Sequence, residues 1–227
     1  MNQLKTSGGA GLAIEHLPVR AAVDSLELEG TLSVPTAARG VVVFAHGSGS
    51  SRHSPRNRYV ADILNESGLA TLLIDLLSED EQQVDLQTAH LRFDIPLLAR
   101  RLEGVGQWVA VHPEVRGLEL GYFGASTGAA AALVAAAEFP ERVRAIVSRG
   151  GRPDLAGLSL AAVEAPTLLI VGGADSTVIE LNRRAMAYLQ CEKQLQIIPC
   201  ATHLFPEPGA LKKVAAMARD WFVEKLG

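Results

Sequence analysis

A serine hydroxyl is a poor nucleophile until a base is placed to take its proton. The chemistry of this chain is therefore sought first around serines with special surroundings. Ser126 has them, at the centre of Gly124-Ala125-Ser126-Thr127-Gly128, with the apolar run 117–123 before it and an alanine-rich segment after it. A strand that enters a helix through so tight a turn forces its central residue into a strained backbone and lifts that side chain clear of the sheet. The flanking residues must be small, because larger ones would collide with the neighbouring strand or helix. As a bare pattern, G-x-S-x-G also describes an ordinary small-residue turn. Its placement and its partners argue for a nucleophile.

Of the six histidines, only His203 lies well downstream of Ser126, in the segment 199–205 between the last apolar run and the last helical pattern. A nucleophile–acid–histidine order places the orienting carboxylate between the two. Asp175, closing Gly172-Gly173-Ala174-Asp175 after the apolar run 167–171, meets that requirement. Asp154 suits a cap or turn, and Asp75, which precedes the serine, reads as structural. The expected catalytic set is Ser126, Asp175 and His203, with Asp175 holding the histidine tautomer and stabilising the imidazolium.

Acyl transfer also needs N–H donors for the oxyanion. His46-Gly47-Ser48-Gly49-Ser50 follows the apolar run 40–45. It has no lysine for a Walker loop, and Gly47-Ser48-Gly49-Ser50-Ser51-Arg52 lacks the last glycine of a dinucleotide fingerprint. The expected oxyanion donors are the amides of Ser48, for which Gly47 or Gly49 could substitute, and of Thr127. His46, Arg52 and Arg149 are the substrate-pocket candidates. His46 reads more readily as a brace of this loop than as an acid or base. Arg52 belongs to a basic cluster with His53, Arg56 and Arg58, which is either a solvated loop or a seat for an anionic substrate group. Arg149, like Arg92 and Asp94, would line the pocket or brace it by ion pairs.

The elements that must hold these residues follow from hydrophobic periodicity. Residues 21–35 alternate as an antiparallel hairpin does. The runs 40–45, 70–74, 117–123, 143–147, 167–171 and 195–198 are continuously apolar, as strands covered on both faces are. Helical patterns over 58–67, 90–111, 126–139, 177–189 and 209–226 fill the gaps. The polar, acidic stretch 78–88 reads as a surface loop. Repeated β-α units after a strand pair predict an α/β fold, a mostly parallel central sheet with helices on both faces. No linker or repeat divides residues 1–227, so a single domain is expected. The segment between Gly151 and Pro166 is too short for a large lid, which predicts a fairly open pocket.

Composition excludes several alternatives. The chain has 227 residues, 48% hydrophobic and 20% charged, with a net charge of −4. It shows no basic face for nucleic acid and no basic amphipathic segment for a membrane surface. Two cysteines, Cys191 and Cys200, cannot make a disulfide framework, though they leave room for a single bridge, and they read more readily as small apolar residues around a late strand. Residues 1–11 show no signal-peptide pattern, so a cytoplasmic location is expected. No metal or organic cofactor is implied. The expected partner is a small-molecule ester, with the protein a monomer or homodimer.

The chain also resembles the dienelactone hydrolase-like branch of the α/β-hydrolase superfamily, and within it the small bacterial hydrolase domains sometimes fused to a phosphoribosyltransferase. The matching stretches are residues 45–57, 90–94, 124–128, 148–154, 172–175 and 203–209. The resemblance implies the α/β-hydrolase fold and the Ser126-Asp175-His203 triad together. Dienelactone hydrolases proper carry cysteine where this chain has Ser126, so the resemblance speaks for the scaffold rather than for dienelactone as substrate. The expected activity is hydrolysis of small carboxylic esters through an acyl-enzyme. The alternatives are an acyltransferase or perhydrolase using the same triad, or a non-catalytic binding module.

Overall fold

The computed structural model describes residues 13–227. The expectation for residues 1–11 lies outside them. Eight strands form one sheet in the order β1-β2-β4-β3-β5-β6-β7-β8. They are β1 Ile14–Val23, β2 Leu26–Pro35, β3 Gly40–Ala45, β4 Ala70–Ile74, β5 Glu119–Ala125, β6 Val143–Arg149, β7 Thr167–Gly172 and β8 Lys193–Ile198. The β1–β2 hairpin joins β4 antiparallel, and every pairing from β4 to β8 is parallel. The helices are α1 Pro55–Glu66, α2 Glu79–Thr88, α3 Ile95–Val111, α4 Thr127–Glu138, α5 Ser176–Tyr188 and α6 Ala210–Leu226. This is the expected fold class.

The strands alternate between two cores. Val41, Val43 and Ala45 of β3 face α3 and α4, while Val42 and Phe44 face α1 and α6. Phe44 meets Phe123 of β5 across this second core at a ring separation of 4.7 Å. Both faces are covered, which is why these strands read as unbroken apolar runs.

Chain order reverses about β3, since β4 lies on one side of it and β5 on the other. The loops leaving β3 and β5 therefore diverge at their C-terminal ends and open a crevice, the usual ligand position in an open α/β sheet. His46 to Ser50 and Ser126 sit on those two loops.

The segment expected to be a surface loop is instead helix α2. Ser78 accepts from the Glu81 N–H at 3.2 Å, and the Glu81 carboxylate accepts from the Ser78 N–H at 2.9 Å, a capping box. Acidic residues in its first turn complement the helix dipole. Asp85 is the residue it buries, so it presents no apolar stripe to be read. The long pattern 90–111 divides at Asp94, which caps α3 through the Leu97 N–H at 3.0 Å, with a 3₁₀ turn over Leu91–Phe93 before it. Cys191 and Cys200 are both free thiols. Among the described residues no helix is long and apolar enough to cross a membrane.

Candidate active site

Ser126 follows β5 and caps α4 with φ +51 and ψ −121. This conformation costs a non-glycine residue on the order of 1–3 kcal/mol, so the surroundings must impose it. The Ser126 N–H donates to Arg149 O at 3.2 Å, and Ser126 O accepts from Ala129 N–H at 3.1 Å and Arg152 N–H at 3.0 Å. The close approach of α4 to β3 completes the turn. A Cβ at Gly128 would fall on Ala45 O and lie 2.6 Å from His46 O, so no side chain fits there.

Asp175 follows β7 and caps α5. Its Oδ1 accepts from the Val178 N–H at 3.4 Å, and its Oδ2 accepts from His203 Nδ1 at 2.7 Å. Backbone bonds lace the two loops together, Gly173 N–H to Ile198 O at 2.8 Å and Ala174 N–H to Ala201 O at 2.9 Å. The far end of the histidine loop is tied by Glu207, whose Oε1 accepts from both the N–H and the hydroxyl of Thr202. That hydrogen bonding holds the Glu207 carboxyl below its ordinary value.

The imidazole leans toward the nucleophile's loop. A Cβ on Gly150, one residue past the Ser126 acceptor Arg149, would lie 3.5 Å from His203 Nδ1. No hydrogen bond joins Ser126 Oγ to His203 among the described residues, and such bonds are often long before substrate closes them. With Nδ1 held by a carboxylate, Nε2 is the nitrogen left to exchange a proton.

The glycine loop after β3 touches the elbow directly. A Cβ at Gly47 would stand 3.0 Å from Ser126 Cβ. The two expected oxyanion donors meet, but in a way the sequence does not disclose. The Ser48 N–H donates to Thr127 Oγ1 at 3.0 Å, so this amide already has an acceptor. The Thr127 N–H is the first of its helix and has no intrahelical acceptor.

The three pocket candidates part company. His46 lines a cavity of about 300 Å³ beside the glycine loop, whose walls include Leu76, Leu77, Gln82 and Leu98. Its Nδ1 bonds Gly47 O at 3.0 Å, consistent with a brace. Arg52 is not a free pocket cation. Its guanidinium is shared between the buried Asp75 and Glu29, and its N–H donates to Asp75 Oδ1 at 2.7 Å. A carboxylate only 2% exposed demands such a partner, and the pair anchors the loop to β2 and β4. Arg92 is likewise a brace, its Nε 2.5 Å from Asp85 Oδ2.

Arg149 lies apart from this cavity. It is buried, and among the described residues it joins no ion pair and its Nε and Nη1 lack partners. Burial, assisted by the charge of Arg56, pushes its pKa down to about 10.

Residues 28–224 match the dienelactone hydrolase family. The crystal structure of a dienelactone hydrolase from Anabaena variabilis is 58% identical, superimposes with a TM-score of 0.93, and covers 94% of this chain and 99% of that one. The chain belongs to the dienelactone hydrolase family. A dienelactone hydrolase-like promiscuous phosphotriesterase from metagenomic libraries shares the fold at 18% identity and a TM-score of 0.77, covering 95% of this chain and all (100%) of its own. Two Mycobacterium tuberculosis strains carry a protein with the provisional name phosphoribosyl transferase, 57% identical over 208 residues. That match takes in 92% of this chain and 46% of theirs, so the chain spans about half the length of these curated relatives.

Proposed function

We propose that this dienelactone hydrolase-family protein is a serine esterase acting on small carboxylic esters. The observation that carries the reading is the 2.7 Å bond from His203 Nδ1 to Asp175, with the imidazole against Gly150, the residue after the Arg149 carbonyl that holds the strained Ser126 turn. It leaves one imidazole nitrogen for one activated hydroxyl. Ser126 Oγ attacks the acyl carbon while its proton passes to His203 Nε2. The carbonyl oxygen becomes an oxyanion beside the Thr127 N–H, with Ser48 N–H as second donor once it exchanges Thr127 Oγ1 for the stronger, charged acceptor. Collapse breaks the bond to the alcohol, which leaves with the proton from His203. Water activated by the same histidine then releases the acid.

The cavity of about 300 Å³ beside the glycine loop supports a short acyl group, since leucines form much of its wall and α2 bounds it. The decisive comparison is turnover of p-nitrophenyl acetate by the purified protein and by Ser126→Ala. The reading expects turnover that Ser126→Ala abolishes. Equal rates in both proteins would overturn it.

A further inference from the structure

Arg149 is 7% exposed, and among the described residues two of its guanidinium nitrogens have no hydrogen-bond partner and it takes no part in ion pairs like those that hold Arg52, Arg92 and Arg152. A buried cation without a partner is costly, and such a cost persists in a fold where a ligand offsets it. Strand alternation puts Arg149 in phase with Ala145 and Val147, which pack beneath α1 and α6. Its side chain therefore leaves β6 on that face.

Arg56 waits on the same face, in the first turn of α1, half-buried and with its Nε also unpartnered. Arg56 lies one helical turn before Val60, which packs in that same core, so its stem starts on the sheet-facing side of α1, and its charge adds to the depression of the Arg149 pKa. Arg56 and Lys212 open on a groove of about 510 Å³ between α1 and the start of α6. The acidic residue of that groove, Glu207, accepts from Thr202 at Oε1, and among the described residues its buried Oε2 has no partner and it forms no ion pair with Arg56. A carboxylate would answer one of the two unmatched guanidiniums. A phosphate dianion answers both, and its oxygens suit their forked donors.

We propose that Arg149 and Arg56 form a phosphate subsite on the leaving-group side of Ser126, so that the natural substrate is an ester of a phosphorylated alcohol. The side follows from His203, which protonates the departing alcohol and lies against Gly150, the residue after Arg149. The acyl group then takes the leucine-lined cavity, whose Leu76, Leu77 and Leu98 belong to the opposite core. The substrate assignment rests on the esterase reading. The affinity for phosphate does not.

Calorimetric titration with inorganic phosphate separates the two. Wild type and Ser126→Ala should both bind phosphate saturably, and acetate at equal ionic strength far more weakly. Arg149→Gln should bind at least about tenfold more weakly, one lost charge-assisted contact, and Arg56→Gln should also weaken binding. Arg149→Met, freed of an unmatched buried charge, should melt no lower than wild type in phosphate-free buffer. On wild type, phosphate should raise KM for p-nitrophenyl acetate without lowering kcat. Absence of saturable binding, or unchanged affinity in both Arg149→Gln and Arg56→Gln, would overturn the subsite. Tight phosphate binding that leaves KM untouched would overturn its place on the leaving-group side.

Discussion

Gly47→Ala tests how the glycine loop serves the nucleophile. The added methyl would lie 3.0 Å from Ser126 Cβ and 3.1 Å from Ala125 O. Carbon atoms rest comfortably at roughly 3.5–4.0 Å, so about half an ångström must be found. Ser126 cannot yield it, because three backbone hydrogen bonds and the α4 junction pin its turn. The loop must retreat instead. A shift of that size takes the Ser48 N–H from 3.0 Å to the edge of hydrogen-bond range of its acceptor, and equally away from an oxyanion. Complete loss of one oxyanion donor costs about 10²–10³ in kcat, so a partial retreat should cost roughly 10- to 100-fold. Overpacking should cost about 1–3 kcal/mol of stability, which leaves the protein folded at 25 °C. The assay is steady-state hydrolysis of p-nitrophenyl acetate, with active sites counted by a fluorophosphonate. A kcat within about twofold of wild type would refute the argument, since the loop would then be able to move without consequence.

The neighbouring Gly128→Ala should behave differently, because its methyl meets the carbonyls of Ala45 and His46, which no rotamer change can move. A loss of more than about 3 kcal/mol in urea unfolding is expected, and an unchanged midpoint would contradict the tight α4–β3 junction. Asp175→Asn keeps a capping side chain for α5 but removes the charge that fixes the His203 tautomer. It should lower kcat by about 10⁴-fold with little change in melting temperature. For Asp85, burial raises the carboxyl pKa, but the N–H and guanidinium of Arg92 outweigh it and leave the group below its ordinary 3.8. A depressed carboxylate contributes stability that is fully present above pH 3.8 and vanishes as pH falls through the folded value. Hydrogen exchange should therefore show α2 and the turn after it loosening only below that pH, and Asp85→Asn should loosen them at neutral pH as well.

Ser126 was legible because its turn is a local event, small residues between a buried strand and a helix. Asp175 and His203 were legible because they end apolar runs on successive loops, and adjacent parallel strands bring such loops together. Helix α2 escaped because its signal lies in Ser78 and Glu81 at the cap, while its two large apolar residues, Val84 and Leu86, are exposed and two positions apart, which makes no apolar stripe. The fate of Arg52 could not be read, since Asp75 and Glu29 reach it from the residue after β4 and from β2, which only the sheet order brings near. The unmatched charge of Arg149 is invisible for the same reason. Its face is set by the register of β6, and its lack of partners depends on everything packed around it.

The central claim is that Ser126 is the nucleophile served by His203. Its most direct test is fluorophosphonate labelling followed by peptide mass spectrometry. The account predicts a single adduct on Ser126, absent in Ser126→Ala and formed far more slowly in His203→Ala. No adduct on wild type, or an adduct that survives Ser126→Ala, would contradict it.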